Sequence, residues 1–258
     1  MLPLVGARPS VISCKLAGPV YAARMTSAHL ILVPVLAALG LVAAPASIRQ
    51  AAPATSAAPA TTAAADTVEL FDGKTLNGWR GFLPEGDPSK VWSVKDGVLV
   101  CTGNPVGYLV TEKEYESFEL SLEWRFDPAK GPGNSGVLLR VQQPDKVWPT
   151  SIEAQLHSEN AGDIWNIGSF PMKTDAARTD GRRTKKEHAT NEKPLGEWNR
   201  YRIVLDGGTL ELYVNDLLQN RATDVQVLPG RIALQSEGAH IEFRKISLKP
   251  LGAAARAK

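Results

Sequence analysis

The nine residues Phe118–Phe126 alternate without interruption: Phe118, Leu120, Leu122, Trp124 and Phe126 against Glu119, Ser121, Glu123 and Arg125. A period of two in hydrophobicity marks a strand with one face in a core and the other toward water. Turn chemistry places further strands. Asp96-Gly97 separates Val91–Val94 from Val98–Val100, and Asp206-Gly207-Gly208 separates Tyr201–Leu205 from Leu210–Val214, each a compact hairpin signal. A third turn at Asn215-Asp216 leads into Leu217–Asn220. Ile241 and Phe243 are apolar at odd positions and Ile246 and Leu248 at even ones, so the inward face must switch and a β-bulge is expected near Arg244-Lys245. After residue 66 no stretch keeps a helical period. About ten short strands spaced by turn residues predict an all-β fold, a two-sheet antiparallel sandwich.

The first 65 residues differ in composition from the rest. Leu30–Ala46 is an almost uncharged apolar run ending in the small-x-small pattern Ala44-Pro45-Ala46, so residues 1–46 read as a signal peptide region cleaved after Ala46. The run contains two prolines and falls short of the ~20 apolar residues a bilayer span requires, so a stable membrane anchor is not expected. Met25, just after Arg24, is better placed than Met1 to start such a signal. Residues 47–66, mostly Ala, Pro, Thr and Ser, read as a disordered linker, leaving 67–252 as one folded domain and 253–258 as a tail. The chain is expected to be exported, to the periplasm or beyond.

Cys14 and Cys101 are the only cysteines, and Cys14 lies upstream of the expected cleavage, so no internal disulfide is predicted. Cys101 has no adjacent His, Lys or Arg and reads as a buried structural thiol. The net charge is +2, and much of the Lys and Arg excess falls in Lys173–Lys193 rather than across a face, which argues against nucleic acid as a partner. The oligomeric state is left open.

Polar residues gather where Gly131–Gly136 feeds the strand Val137–Val141, on which Arg140 is expected opposite Val137, Leu139 and Val141. The next strand, Ile152–His157, sets Glu153, Gln155 and His157 on one face against Ile152, Ala154 and Leu156. An acid, an amide and an imidazole in a row offer a base, a hydrogen-bond pair and a proton shuttle to a sugar lying across the sheet, with Arg140 steadying an oxyanion. By alternation alone the row is also what any solvent-facing strand carries. Trp148 and Trp165 either stack on a sugar ring or close the edge of the core.

Several phrases resemble the 3-keto-disaccharide hydrolase family: Leu70–Trp79, Trp92–Leu99, Gly133–Gly136 with Arg140, Glu153–Gln155, Lys193–Asn199, and Gly230–Gln235 leading to Ile241–Arg244. Their order spans residues 68 to 251. The resemblance implies a concanavalin A-like jelly roll related to glucanases and lectins, acting on glycosides already oxidised to a ketone at C3. It implies Glu153 as the base, Arg140 with Asn134 polarising the ketone, and Gln155 with Gln235 binding hydroxyls; His157, adjacent to the matched phrases, is assigned as proton donor. No cofactor is predicted, and a divalent metal is left open. Two other readings compete. A carbohydrate-binding module would depend on Trp148 and Trp165 instead of a carboxylate. A glucanase would need two carboxylates ~5 to 9.5 Å apart, and no strand carries such a pair.

Overall fold

The computed structural model describes residues 66–252. The expected signal region, nearly all of the linker and the tail lie outside the described residues. In chain order the first strands are β1 (Val68–Glu69), β2 (Trp79–Phe82), β3 (Trp92–Lys95), β4 (Val98–Cys101), β5 (Gly107–Thr111), β6 (Phe118–Phe126), β7 (Gly136–Val141) and β8 (Ser151–Gln155). They are followed by β9 (Ile164–Ile167), β10 (Thr179–Asp180), β11 (Arg183–Thr184), β12 (Asn199–Asp206), β13 (Thr209–Val214), β14 (Leu217–Ala222), β15 (Arg231–Ser236) and β16 (Ile241–Pro250). Among the described residues the only helices are two short 3-10 turns, Pro88–Lys90 and Ala176–Arg178.

The strands form two antiparallel sheets. The first runs β14-β13-β12-β6-β16-β4-β3, with β1 also on β16, and the second runs β10-β11-β9-β8-β7-β15-β5-β2. The expected hairpins are present: Lys95 pairs with Val98 around Asp96-Gly97, and Val214 with Leu217 around Asn215-Asp216. All four turn residues have positive φ (51°, 78°, 45° and 68°), the conformation whose twist suits a two-residue hairpin and which Asp, Asn and Gly adopt most readily. The expected bulge is also there. The β16–β6 register slips between Arg244 and Ser247, with Lys245 at φ 50°, and this brings Ile241, Phe243, Ile246 and Leu248 all inside.

The inward face of β6 packs with Tyr201, Ile203 and Leu205 of β12 onto Val137, Leu139, Ile152, Ala154, Ile232 and Leu234 of the second sheet. Each large side chain so buried contributes roughly 1.5–3 kcal/mol, so this interface carries the fold. Cys101 is part of it, its thiol pushed up to about 11 by burial and therefore unreactive.

A second apolar cluster, Tyr108, Val110, Leu138, Val141, Ile167 and Ala233, lies on the outer face of the second sheet. It is buried because the connection 142–150 folds over it, held by Asp145, which accepts from the Tyr108 hydroxyl (2.9 Å) and pairs with Arg80 (2.9 Å). Half of that outer face is thus covered. The half toward β8 and β9 is where a ligand has access.

Arg140 is a correction to the expectation that it joins this outer face. Between Leu138 and Val141 strand β7 carries one residue more than β15 does between Arg231 and Ala233, and Arg140 sits in that bulge at φ 50°. The side chain is fully buried, and its guanidinium donates to the carbonyls of Glu116 (2.9 Å), Gly207 (2.9 Å) and Gln226. Those carbonyls belong to connections beside β6, β12 and β14 of the first sheet. Arg140 therefore ties the two sheets together, and alternation failed to place it because alternation assumes an unbroken ladder.

A candidate active site on the open half of the second sheet

Cross-strand register builds the site. Trp165 of β9 pairs with Glu153 of β8, which pairs with Leu138 of β7, and in the next row Gln155 stands beside Gly136. Gly136 has a specific task here. A Cβ at that position would lie 2.3 Å from Gln235 Oε1 and 2.6 Å from Glu153 Oε1, so only glycine leaves space for the carboxyl and the amide to lie side by side.

Above this row is a hollow of about 310 Å3 lined by Asn134, Trp148, Glu153, Gln155, His157, Asn160, Trp165, Ile167, Arg182, Arg183 and Glu237. Six of the side chains singled out in the sequence meet in it: Asn134, Trp148, Glu153, Gln155, His157 and Trp165. Gln235 is buried against Glu153 beneath the hollow. Arg140 is not part of it, and the expected juxtaposition of Arg140 with Glu153 does not occur.

Glu153 is only 5% exposed, and burial pushes its carboxyl up to about 8; the charge of Glu237 adds to the effect, while Arg182 and the nearby Gln235 amide oppose it. Such a group holds its proton at neutral pH and is a strong base once it is lost. Burial also raises Glu237, with His157 opposing.

The strand expected to reach His157 stops at Gln155. There the Gln155 Oε1 accepts from the backbone N–H groups of Leu156 and His157, both at 2.9 Å, and the chain turns. His157 is left at the rim with Nδ1 2.8 Å from the Ser158 carbonyl oxygen. The Asn160 amide nitrogen lies 3.0 Å from the same Nδ1, so both contacts engage that atom and Nε2 is the ring nitrogen available for proton transfer.

The Trp165 ring lies under two guanidinium groups, Arg182 at 5.6 Å and Arg183 at 5.9 Å. Arg183 is held by Asp163 (2.6 Å) and Asn160 (2.8 Å), whereas Arg182 has no ion-pair partner among the described residues. Asn134 Oδ1, Trp165 Nε1 and both amide atoms of Gln235 are buried without hydrogen-bond partners. Buried polar atoms are seldom left so, and their concentration here is what a site for a hydroxyl-rich ligand requires. Trp148, 43% exposed, offers a ring face at the mouth. Among the described residues no three His, Cys, Asp or Glu side chains converge as a metal site would need.

Sequence reasoning missed Arg182 and Glu237, and it read Gly136 only as part of a turn run and a family phrase. Glu237 continues the outward face of β15 one step beyond Gln235, a signal that was readable. Arg182 lies within the charged 173–193 stretch, where only folding distinguishes it from its neighbours.

A family model described as a 3-keto-alpha-glucoside-1,2-lyase-like domain matches residues 66–249. The chain is 31% identical over 169 residues to a 3-keto-disaccharide hydrolase from Bacteroides thetaiotaomicron, a match covering 58% of this chain and 56% of that protein. The chain thus spans little more than half the length of this relative. Among solved structures, a protein described as a glycosyl hydrolase from Parabacteroides distasonis is 23% identical with a TM-score of 0.55, over 72% of this chain and 94% of that one. A β-1,3-1,4-glucanase (lichenase) derived from a mouse hindgut metagenome is 11% identical with a TM-score of 0.50, over 72% and 99%. The shared fold is the antiparallel jelly-roll sandwich of concanavalin A-like glucanases.

Proposed function

The chain belongs to the 3-keto-alpha-glucoside-1,2-lyase-like family, and on that premise we propose that it cleaves 3-keto-glycosides by elimination followed by hydration. The observation carrying the proposal is a single buried carboxyl, Glu153, raised to about 8 in a sugar-sized hollow that also holds an imidazole and a guanidinium.

A ketone at C3 makes the C2 proton acidic. Glu153, once ionised, takes that proton, and the negative charge passes to the C3 oxygen, where Arg182 and the unpartnered Trp165 N–H stabilise it in place of the originally expected Arg140. The C1–O bond then breaks, and the leaving oxygen takes a proton from His157, which lines the hollow beside Glu237. Water adds to C1 of the resulting enone, giving its spare proton to His157 to replace the one lost to the leaving oxygen, and Glu153 returns its proton to C2, so the net reaction is hydrolysis. Asn134, Gln155 and Gln235 bind hydroxyls, and Trp148 covers a ring face. The proposal includes export, supported by the apolar run Leu30–Ala46.

One feature favours a second reading. Glu237 beside Glu153 supplies the two carboxyls of a direct glycosidase, a pair absent from any one strand. Purified protein incubated with 3-keto-glucosides and with their unoxidised parents separates the two. Turnover of the keto compounds alone, lost in Glu153→Gln, is expected; turnover of the parents would reject the elimination.

A further inference from the structure

The hollow around Glu153 does not end at Glu237. A second hollow of about 320 Å3 shares Asn134, His157 and Glu237 with it and continues over Pro132 and Ala239. A third, of about 400 Å3, shares Pro132 and Ala239 with the second and reaches Thr102, Lys130 and His240. The three form one groove between the loop before β7 and the loop after β15, and each is at the small end of ligand sites, which run to about 300–1,000 Å3.

The order along the groove assigns a direction. The residues shared by the first two hollows include the His157 imidazole that would protonate a leaving oxygen, so the bond to be broken lies over that boundary. What lies beyond it belongs to the leaving group. The floor there is built close: a Cβ on Gly133 would come within 2.4 Å of the Ala239 side chain, so the two loops pack directly and leave a shallow trough. The far end presents a hydroxyl, an ammonium and an imidazole (Thr102, Lys130 and His240) and no aromatic platform. These groups match sugar hydroxyls better than an aryl aglycone.

Building on the elimination reading, we propose that the groove past Glu237 holds a leaving group of two sugar units, the first over Pro132 and Ala239 and the second against Thr102, Lys130 and His240. The preferred substrate is then an oligosaccharide oxidised at C3 of its terminal residue.

Three 3-keto-glucosides, prepared in both anomeric series and differing only in leaving group (methyl, glucosyl or diglucosyl), test this. The two sugar leaving groups have the same intrinsic chemistry, so a kcat/KM about fivefold or more higher for the diglucosyl compound reports the far hollow. Pro132→Trp, a change at an exposed residue, is expected to abolish that advantage and to slow the glucosyl compound about tenfold, with the methyl glycoside within about twofold of wild type. Thr102→Ala with Lys130→Ala adds no bulk and should lower only the diglucosyl rate. Equal rates for the two sugar leaving groups, or a uniform loss across all three compounds in Pro132→Trp, overturn the proposal. If no keto-glycoside of any kind turns over, the elimination reading fails. The groove is then judged by calorimetry with the unoxidised trisaccharide, where binding lost in Pro132→Trp upholds it and absent or unchanged binding rejects it.

Discussion

Glu153→Gln is expected to remove turnover and, above neutral pH, to make the protein more stable. The folded-state value of about 8 lies above the ordinary 4.5, so the folded protein holds this proton more tightly than the unfolded chain does. The associated stability is fully present below pH 4.5, is lost as pH rises through the interval to about 8, and above that the loss is constant because both states are ionised. At 1.36 kcal/mol per pKa unit, moving from 4.5 to about 8 costs wild type about 1, 3 and 5 kcal/mol at pH 5, 7 and 9. Gln has the shape of the protonated carboxyl and does not titrate, so the stability gap between variant and wild type should follow that progression. Urea unfolding of both proteins at the three pH values measures it. Glu237 and Glu192 are also raised, but they are present in both proteins and largely cancel in the difference. A gap that stays constant from pH 5 to 9 to within ~0.5 kcal/mol would refute the claim that the fold buries an ionisable base at its own expense.

Glu237→Gln removes a charge that raises Glu153, so the rising limb of kcat/KM against pH should move to lower pH. Gly136→Ala places a methyl group against Glu153 and Gln235; activity should fall by about tenfold to a hundredfold, with near-native circular dichroism, because a base displaced by about 1 Å loses its attack geometry. Arg140→Ala strands three buried carbonyls between the sheets and, at about 1–3 kcal/mol for each unmet group, should cost at least about 3 kcal/mol in urea unfolding. At low temperature the same variant should keep the wild-type KM and pH profile; loss of kcat at unchanged stability would return Arg140 to the chemistry.

The site contains its own tension. Gly136 and the β8–β9 pairing keep Glu153 where water cannot solvate its charge, and the unpartnered Trp165 Nε1 and Gln235 amide add further unmet polarity. These groups make the empty protein less stable than an apolar patch in the same position would, and they are the groups a bound sugar would satisfy.

The sequence determined the sandwich itself. The alternation of Phe118–Phe126, the paired turn residues and the parity switch between Phe243 and Ile246 are local constraints, and each reappears as β6, two hairpins and the β16 bulge. It also placed Glu153 and Gln155 on one face, because a strand's period of two is intrinsic to its backbone. Tertiary structure decided the rest. An extra residue in β7 turned Arg140 away from the face its parity indicated. The fold of 142–150 over Tyr108 and Leu138 decided which half of the outer face stays open. Glu237 and Arg182 reached Glu153 across 84 and 29 positions of chain. A site depends on which side chains converge, and convergence between distant segments is fixed by packing and register, which no local pattern encodes.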